Sequence, residues 1–162
     1  MKAQVKVPAA AVRAHEELFA YWTSLRDGPR LPSRCDLDPA GMKRLLPTVS
    51  LIDVARRDPM DFRIRLAGTG LYGVYGGEIT GKSLSDIYST SAADYWRAEL
   101  GKVIAERKPT VGVHNLAWRG ASHLSILWLR LPLAANGSEV DMILGYDAVV
   151  GMAQMQTGIR AA

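Results

Sequence analysis

The stretch that decides the fold is DFRIRLAGTGLYGVYGGEITGKSLSDI, residues 61–87. Its first part predicts a β-strand, because Phe62, Ile64 and Leu66 alternate with arginines in the period-2 pattern of a half-buried strand. Glycines then crowd residues 68–77, and each glycine inside a helix costs roughly 1 kcal/mol relative to alanine. We therefore expect short helical turns joined by bends after the strand, rather than one regular helix.

Apolar patterns on both sides of this stretch predict further elements. Upstream they predict a helix at about 9–26, a short helix at 40–46 and a strand at 48–54. Downstream they predict a helix that begins near Thr90 or Ser91 and ends near Arg107, then strands at 110–118, 122–133 and 140–150. Asp38 followed by Pro39 is a strong start signal for the short helix. The polar loop between the first two strands suggests an antiparallel hairpin.

Composition narrows the class of protein. The 162 residues are 48% hydrophobic, which suits one domain with a single core. The chain has one cysteine, which excludes an internal disulfide and is typical of a reducing cytoplasm. No apolar run reaches the ~18–20 residues needed to span a bilayer, and the start does not resemble a signal peptide. The net charge of +4 is mild and the basic residues are dispersed, so we expect neither nucleic-acid nor membrane binding.

The order of the elements and several motifs together resemble one family. Two strands, short helices, a longer helix and three strands is the order of a PAS domain. The motifs are YWTSLR (21–26), RCDLDP (34–39), LP (46–47), FRIRLAGT (62–69) and LPL (131–133). They resemble a bacterial family of stand-alone PAS-like signalling proteins without a general assigned ligand.

This resemblance implies an α+β fold and a division of the chain. The expected fold is a five-stranded antiparallel sheet with helices on one face and an extra N-terminal helix. The expected division is an N-terminal helical extension at 1–46, a PAS-like core at 47–150 and a tail at 151–162. The implied function is sensory or signalling, through protein–protein contacts, since fold alone does not assign chemistry.

In a PAS-like fold, the glycine-rich segment would wall off a pocket over the sheet. We expect that pocket to bind a small hydrophobic or weakly polar ligand. Its predicted lining comes from the inward faces of the strands and from the glycine-rich segment: Phe62, Ile64, Leu66, Leu71, Tyr72, Tyr75, Ile79, Val113, Leu127, Leu129, Met142 and Leu144. A filled core built from the same residues is the alternative, and the sequence leaves both open.

Neither flavin nor heme is supported as a cofactor. PAS folds that bind flavin through a cysteine adduct carry that cysteine in the helical region, whereas Cys35 precedes it. A heme needs an axial ligand, for which His114 is the one plausible candidate. The cofactor therefore stays unassigned.

Signatures of metal binding and catalysis are sparse. His114 and His123 lie on neighbouring predicted strands, but two histidines supply at most two metal ligands, and no acidic residue or cysteine joins them at a useful spacing. His15 is interpreted as a solvated helix residue. The pattern Gly68-x-Gly70-x-x-Gly73 lacks the βαβ unit that a dinucleotide site requires.

We therefore expect a protein that is not an enzyme. An enzyme acting on a hydrophobic substrate would have to use Tyr88 with Asp86 or Asp94. Those three side chains are better explained as parts of caps and turns.

The predicted strand at 122–133 is apolar on both faces, so both faces must be covered. The N-terminal helix is the natural cover for the second face, and it could also meet a symmetry mate. The expected dimer or partner surface consists of Leu18, Phe19, Trp22, Leu25, Leu124, Ile126 and Trp128. The hypothesis is a homodimer that signals to a regulatory protein; a ligand-free interaction module, acting as an adaptor, is the alternative.

Overall fold

The computed structural model of the chain describes residues 7–57 and 59–151. Its α-helices are α1 (Ala9–Ser24), α2 (Leu71–Tyr75), α3 (Leu84–Ile87) and α4 (Thr90–Glu106). Its strands are β1 (Val49–Ala55), β2 (Asp61–Ala67), β3 (Thr110–Leu116), β4 (Ala121–Leu133) and β5 (Met142–Gly151). Short 3₁₀ segments lie at Arg34–Asp36, Pro39–Thr48 and Ala117–Arg119.

The five strands form one sheet in the order β2-β1-β5-β4-β3, and every neighbouring pair is antiparallel. This confirms the predicted five-stranded antiparallel sheet and the hairpin formed by its first two strands. β4 pairs with both β3 and β5 over most of its length, so β4 and β5 form the long centre of the sheet. β5 runs one residue past the predicted core boundary, and the predicted tail from residue 152 onward lies outside the described residues.

Local sequence signals explain where several helices begin and end. The Asp38 carboxylate accepts a hydrogen bond from the Ala40 amide at 2.9 Å, as expected of a helix cap, although the segment that follows is 3₁₀ rather than α-helical. Ser89, rather than Thr90 or Ser91, caps α4. Gly76 ends α2 with a positive φ of 75°, a conformation that suits glycine.

The helices pack on both faces of the sheet, and contacts with β4 show that α4 covers one face and α1 the other. Trp128 lies 5.3 Å from the Trp96 ring of α4, measured between ring centroids. On the opposite face, the Trp22 indole of α1 donates to the Pro132 carbonyl at 2.9 Å. Because side chains alternate along a strand, β4 presents Ile126, Trp128 and Arg130 to one face and Leu127, Leu129 and Leu131 to the other. We call these the α4 face and the α1 face.

Candidate functional site

The twelve predicted pocket residues do not share one face of the sheet. Strand pairing puts Phe62 and Ile64 on the α4 face, where Tyr75 also lies, and Leu71 and Ile79 are buried in the segment that follows β2. Five others lie on the α1 face: Val113, Leu127, Leu129, Met142 and Leu144. Leu66 and Tyr72 are 51% and 60% exposed. The single predicted lining is therefore corrected to two separate sets.

The predicted partner residues are corrected in the same way. Leu18 and Trp22 are 0% and 1% exposed because α1 uses them to pack on its own sheet. Ile126 and Trp128 are buried on the α4 face, and Leu124, also on that face, is half-buried. Leu25 is partly buried as well, so of the seven predicted residues Phe19 alone is substantially exposed, at 46%.

A buried ion pair that the sequence analysis missed occupies the α4 face. The Arg130 guanidinium donates through Nη1 to the Asp147 carboxylate at 2.9 Å, and the two side chains are 3% and 2% exposed. Nη1 also donates to the backbone carbonyls of Leu129 and Tyr146. The Tyr75 hydroxyl of α2 donates to the second oxygen of Asp147 at 2.7 Å. The pair thus joins β4, β5 and α2.

Aromatic rings enclose the pair. The guanidinium carbon of Arg130 lies 4.7 Å from the centroid of the Trp96 ring and 5.8 Å from that of Trp128. Such cation–π contacts are strongest when desolvated, as they are here. Gly145 leaves room for the guanidinium, since a Cβ there would lie 3.2 Å from Arg130 Nη1 and 2.5 Å from the Ser50 hydroxyl.

Burial and charge fix the protonation states around the pair. Burial lowers the pKa of Arg130, but the charge and hydrogen bond of Asp147 together with the nearby hydroxyls of Tyr75 and Tyr88 outweigh it, so the net shift is upward. Burial raises the pKa of Tyr75 well above its ordinary value, and the negative charge of Asp147 raises it further. Burial also raises the pKa of Tyr88. Arg130 therefore stays protonated at neutral pH, while Tyr75 and Tyr88 stay neutral hydrogen-bond donors.

Five buried polar atoms around this pair have no hydrogen-bond partner among the described residues. They are Trp96 Nε1, Trp118 Nε1, Arg130 Nε, Thr110 Oγ1 and His114 Nδ1. Thr110 pairs directly with Arg130 across the strands, and the His114 ring lies 5.5 Å from the Trp96 ring. An unpaired buried donor costs about 1–3 kcal/mol, so such groups normally meet ordered water or a ligand. The α4 face therefore holds several buried polar groups without a hydrogen-bond partner among the described residues.

The segment over the α4 face is tied to this polar cluster. Tyr75 connects α2 to Asp147, and its ring lies 6.3 Å from the Trp118 ring. The Arg119 guanidinium donates to the carbonyls of Val74 and Gly73 at 2.5 and 2.9 Å. A molecule that rearranged the cluster would therefore also move α2.

The three histidines occupy different environments. His15, expected to be solvated, is half-buried instead: its Nε2 lies 2.9 Å from the Leu127 carbonyl and its ring meets Tyr146 edge-on at 5.7 Å. His114 stacks on Tyr95 at 4.3 Å on the α4 face, whereas His123 is exposed. Within the described residues, no three His, Cys, Asp or Glu side chains come together as a metal site.

The remaining candidates for chemistry have structural roles. Asp86 accepts from the Ser83 amide and hydroxyl at the start of α3, and Asp94 pairs with Arg97. Tyr88 packs in the aromatic cluster, 4.8 Å from Trp118. Cys35 is exposed in the first 3₁₀ segment. The helices in the described part of the chain include none that is long and apolar enough to cross a membrane.

The fold and the whole-chain pattern agree with one family. A family model described as the PAS domain matches residues 10–147. The chain belongs to the PAS domain family. The predicted membership of the PAS superfamily and the predicted fold class are thereby confirmed. No curated protein matches the chain.

Solved PAS and LOV structures share the fold at low sequence identity. The Rhodobacter sphaeroides LOV protein is 13% identical with a TM-score of 0.51, over 91% of this chain and 73% of that one. The PAS domain of Bordetella pertussis BvgS is 14% identical with a TM-score of 0.50, over 90% and 96% of the two chains. A fungal LOV domain photoreceptor is 19% identical with a TM-score of 0.51, over 82% and 88%. These likenesses show that the chain shares the fold of PAS and LOV domains.

Proposed function

We propose that this PAS protein is a non-enzymatic sensor whose α4 face binds a small, uncharged or weakly polar molecule, and which signals through contacts with other proteins. The observation that carries the proposal is the group of unpartnered buried donors around Arg130 and Asp147. A core that served stability alone would be expected to pair such groups, because each unpaired donor costs free energy.

The chemistry of the cluster narrows the class of ligand. Arg130 and Asp147 neutralise each other, so a charged ligand would leave an uncompensated charge in a buried site. The unpaired atoms Trp96 Nε1, Trp118 Nε1 and Arg130 Nε can only donate. A neutral molecule with two or more acceptors, such as carbonyl oxygens or ring nitrogens, meets both requirements.

The same contacts provide a route for the signal. A ligand that accepts from Arg130 Nε would shift the guanidinium, whose Nη1 is bonded to Asp147, and Asp147 in turn holds Tyr75 of α2. The Nη1 group of Arg130 also contacts the Tyr146 carbonyl, and the Tyr146 ring touches His15 on the α1 face. Binding on one face would therefore change the position of α1 on the other.

Native mass spectrometry of the freshly purified protein tests the proposal. We expect excess mass on the folded chain that is lost on denaturation, and this mass identifies the ligand. Trp96→Phe removes one unpaired donor and should lower occupancy. Trp22→Phe makes the same chemical change on the α1 face, where the indole already has a partner, and should leave occupancy unchanged. A clean apo mass for the native protein, at all expression conditions tried, would contradict the sensor.

The second candidate function is a ligand-free interaction module that works as a homodimer or adaptor in a reducing cytoplasm. The close ring packing around Tyr88, Trp96 and Trp128 favours it, because these rings fill much of the α4 face. Phe19 is the exposed aromatic residue that would carry the contact on α1. The same native spectrum separates the two proposals, since a dimer without bound mass supports this module.

A further inference from the structure

A cavity of about 280 Å³ lies between α1 and the edge strand β3, on the face opposite the polar cluster. It is lined by a residue just before α1, by the first two turns of α1, by β3 and by one residue of β4: Val7, Ala11, Val12, His15, Glu16, Val111, Gly112, Val113 and Leu127. We call it the α1–β3 groove. It exists because α1 covers the centre of the sheet and leaves the outer face of β3 uncovered.

The walls of the groove are unusually exposed for apolar side chains. Val111 and Val113 are 66% and 49% exposed, and Val12 and Val7 are 40% and 39% exposed. These four belong to the eight large hydrophobic residues of the described chain that are substantially exposed. Apolar side chains gathered in one concave surface are typical of a binding site, whereas scattered ones are ordinary.

Two polar groups in the groove define its chemistry. His15 Nε2 meets the Leu127 carbonyl, so Nε2 carries the proton and Nδ1 is left as an acceptor in the neutral ring. Burial lowers the pKa of His15, which keeps the ring neutral at pH 7. Glu16 adds an exposed carboxylate, and the lining residues that the structure describes include no lysine or arginine. The polar groups of the groove therefore accept hydrogen bonds and carry negative charge.

We propose that the α1–β3 groove binds a small amphiphile: an apolar chain or ring lying against the valines, with a cationic or donor head at Glu16 and His15. The volume lies just below the roughly 300–1,000 Å³ of typical ligand pockets, which limits the apolar part to a short chain or one ring system. The site is distinct from the α4 face and does not depend on a ligand there. Its occupant would join α1 to β3 and so hold α1 in place.

Titration with octylammonium chloride, followed by ¹H–¹⁵N correlation spectra, tests the proposal. The probe is kept below the concentration at which it self-associates. We expect saturable shifts confined to the amides around Val12, Val111 and Val113. Octanoate, which has a chain of similar length and the opposite charge, should bind at least about threefold more weakly, in line with the modest strength of exposed charge contacts.

Two variants separate the groove from general adsorption. Val113→Arg places a cation among the valines and should weaken octylammonium binding by at least about tenfold, since it adds like charge and fills the groove. Val149→Arg is the matched control, because Val149 is similarly exposed, at 42%, but lies on the other face of the sheet. It should bind the probe as the native protein does.

Glu16→Gln tests the head-group contact. It should reduce octylammonium affinity by roughly two- to fivefold, the range expected for an exposed ion pair, while 1-octanol binding stays unchanged. The proposal is overturned if the shifts do not saturate, or if Val113→Arg binds as the native protein does. It is also overturned if these amides respond to protein concentration instead of probe, because a second copy of the chain would then occupy the groove.

Discussion

The two faces of the sheet are built from the same strands but are held by different contacts. On the α4 face, β4 and β5 contribute a buried ion pair, Arg130 and Asp147, enclosed by aromatic rings. On the α1 face, most of the intervening residues of the same strands are aliphatic or aromatic, and Leu127 borders α1. Because successive side chains of a strand point to opposite faces of the sheet, neighbouring residues of β4 and β5 lie in these two different environments.

This difference predicts how substitutions on each face change the stability of the protein. An ion pair needs both partners and their hydrogen bonds, so the loss of one partner is costly while a joint apolar replacement is tolerated. An aliphatic layer loses free energy in proportion to the volume removed, and it can recover part of that loss by collapsing. We therefore expect single substitutions in the ion pair of the α4 face to be poorly tolerated, and substitutions in the aliphatic layer of the α1 face to be partly compensated by repacking.

The largest effect is expected for Asp147→Asn. The change leaves the buried Arg130 charge without its counterion, which should lower the free energy of unfolding by about 3–5 kcal/mol. Urea denaturation, followed by circular dichroism, measures it. A loss below about 1 kcal/mol would mean that the pair is not buried as described.

The combined change Arg130→Met, Asp147→Leu and Tyr75→Phe is the control for that result. It removes both charges and the hydroxyl that depends on Asp147. Stability should then return to within about 1 kcal/mol of the native protein, or exceed it, as for other buried pairs replaced by apolar residues. If the triple variant is as unstable as Asp147→Asn, the cost comes from lost packing and not from charge.

A pair of leucine substitutions compares the packing of the two faces directly. Leu100 of α4 and Leu18 of α1 are 1% and 0% exposed. Leu100→Ala should cost about 4 kcal/mol, whereas Leu18→Ala should cost about 2–3 kcal/mol, because α1 borders an open groove and can settle into the space. Thermal and urea unfolding give both values. The reverse order would show that α1 is the more rigid layer.

The sequence predicted the order of elements and the sheet because local signals were strong. Alternation in β2, the glycines after it and the Asp38-Pro39 start signal each act within a few residues. Positive φ at Gly76 likewise fits the bends predicted for residues 68–77. Local chemistry therefore accounts for the fold well.

The sequence did not predict which face of β4 meets which helix. Its residues from Leu124 to Leu133 are almost all apolar, and an error of one residue in phase exchanges the two faces. The ion pair carried a signal that was overlooked: Arg130 and Asp147 are the lone charges inside two long apolar strands. A charge in such a position must have a buried partner.

A smaller loss of stability is expected for Tyr75→Phe, which tests the link between α2 and the ion pair of the α4 face. The change removes the hydroxyl bond to Asp147 but leaves the ion pair intact. A hydrogen bond to a charged group contributes about 1.5–3 kcal/mol, and Asp147 keeps its bond to Arg130, so we expect about 1.5 kcal/mol. Hydrogen exchange should also quicken in α2 more than in α4. Equal protection of the two helices would rule out Tyr75 as the link to α2.

The smallest effect concerns pH and compares one histidine on each face. Burial lowers the pKa of His15 on the α1 face and of His114 on the α4 face, with Asp147 opposing the shift in both and Arg130 adding to it at His15. A group whose pKa is lower in the folded state binds more protons when unfolded, so stability should fall as pH drops below the unfolded value of about 6.5 and level off below the folded values. His15→Gln and His114→Gln should each remove part of this slope. Because Asp147 acts on both rings, we expect the two losses to depart from simple addition by more than about 0.5 kcal/mol, and additive losses would show that the two faces are independent.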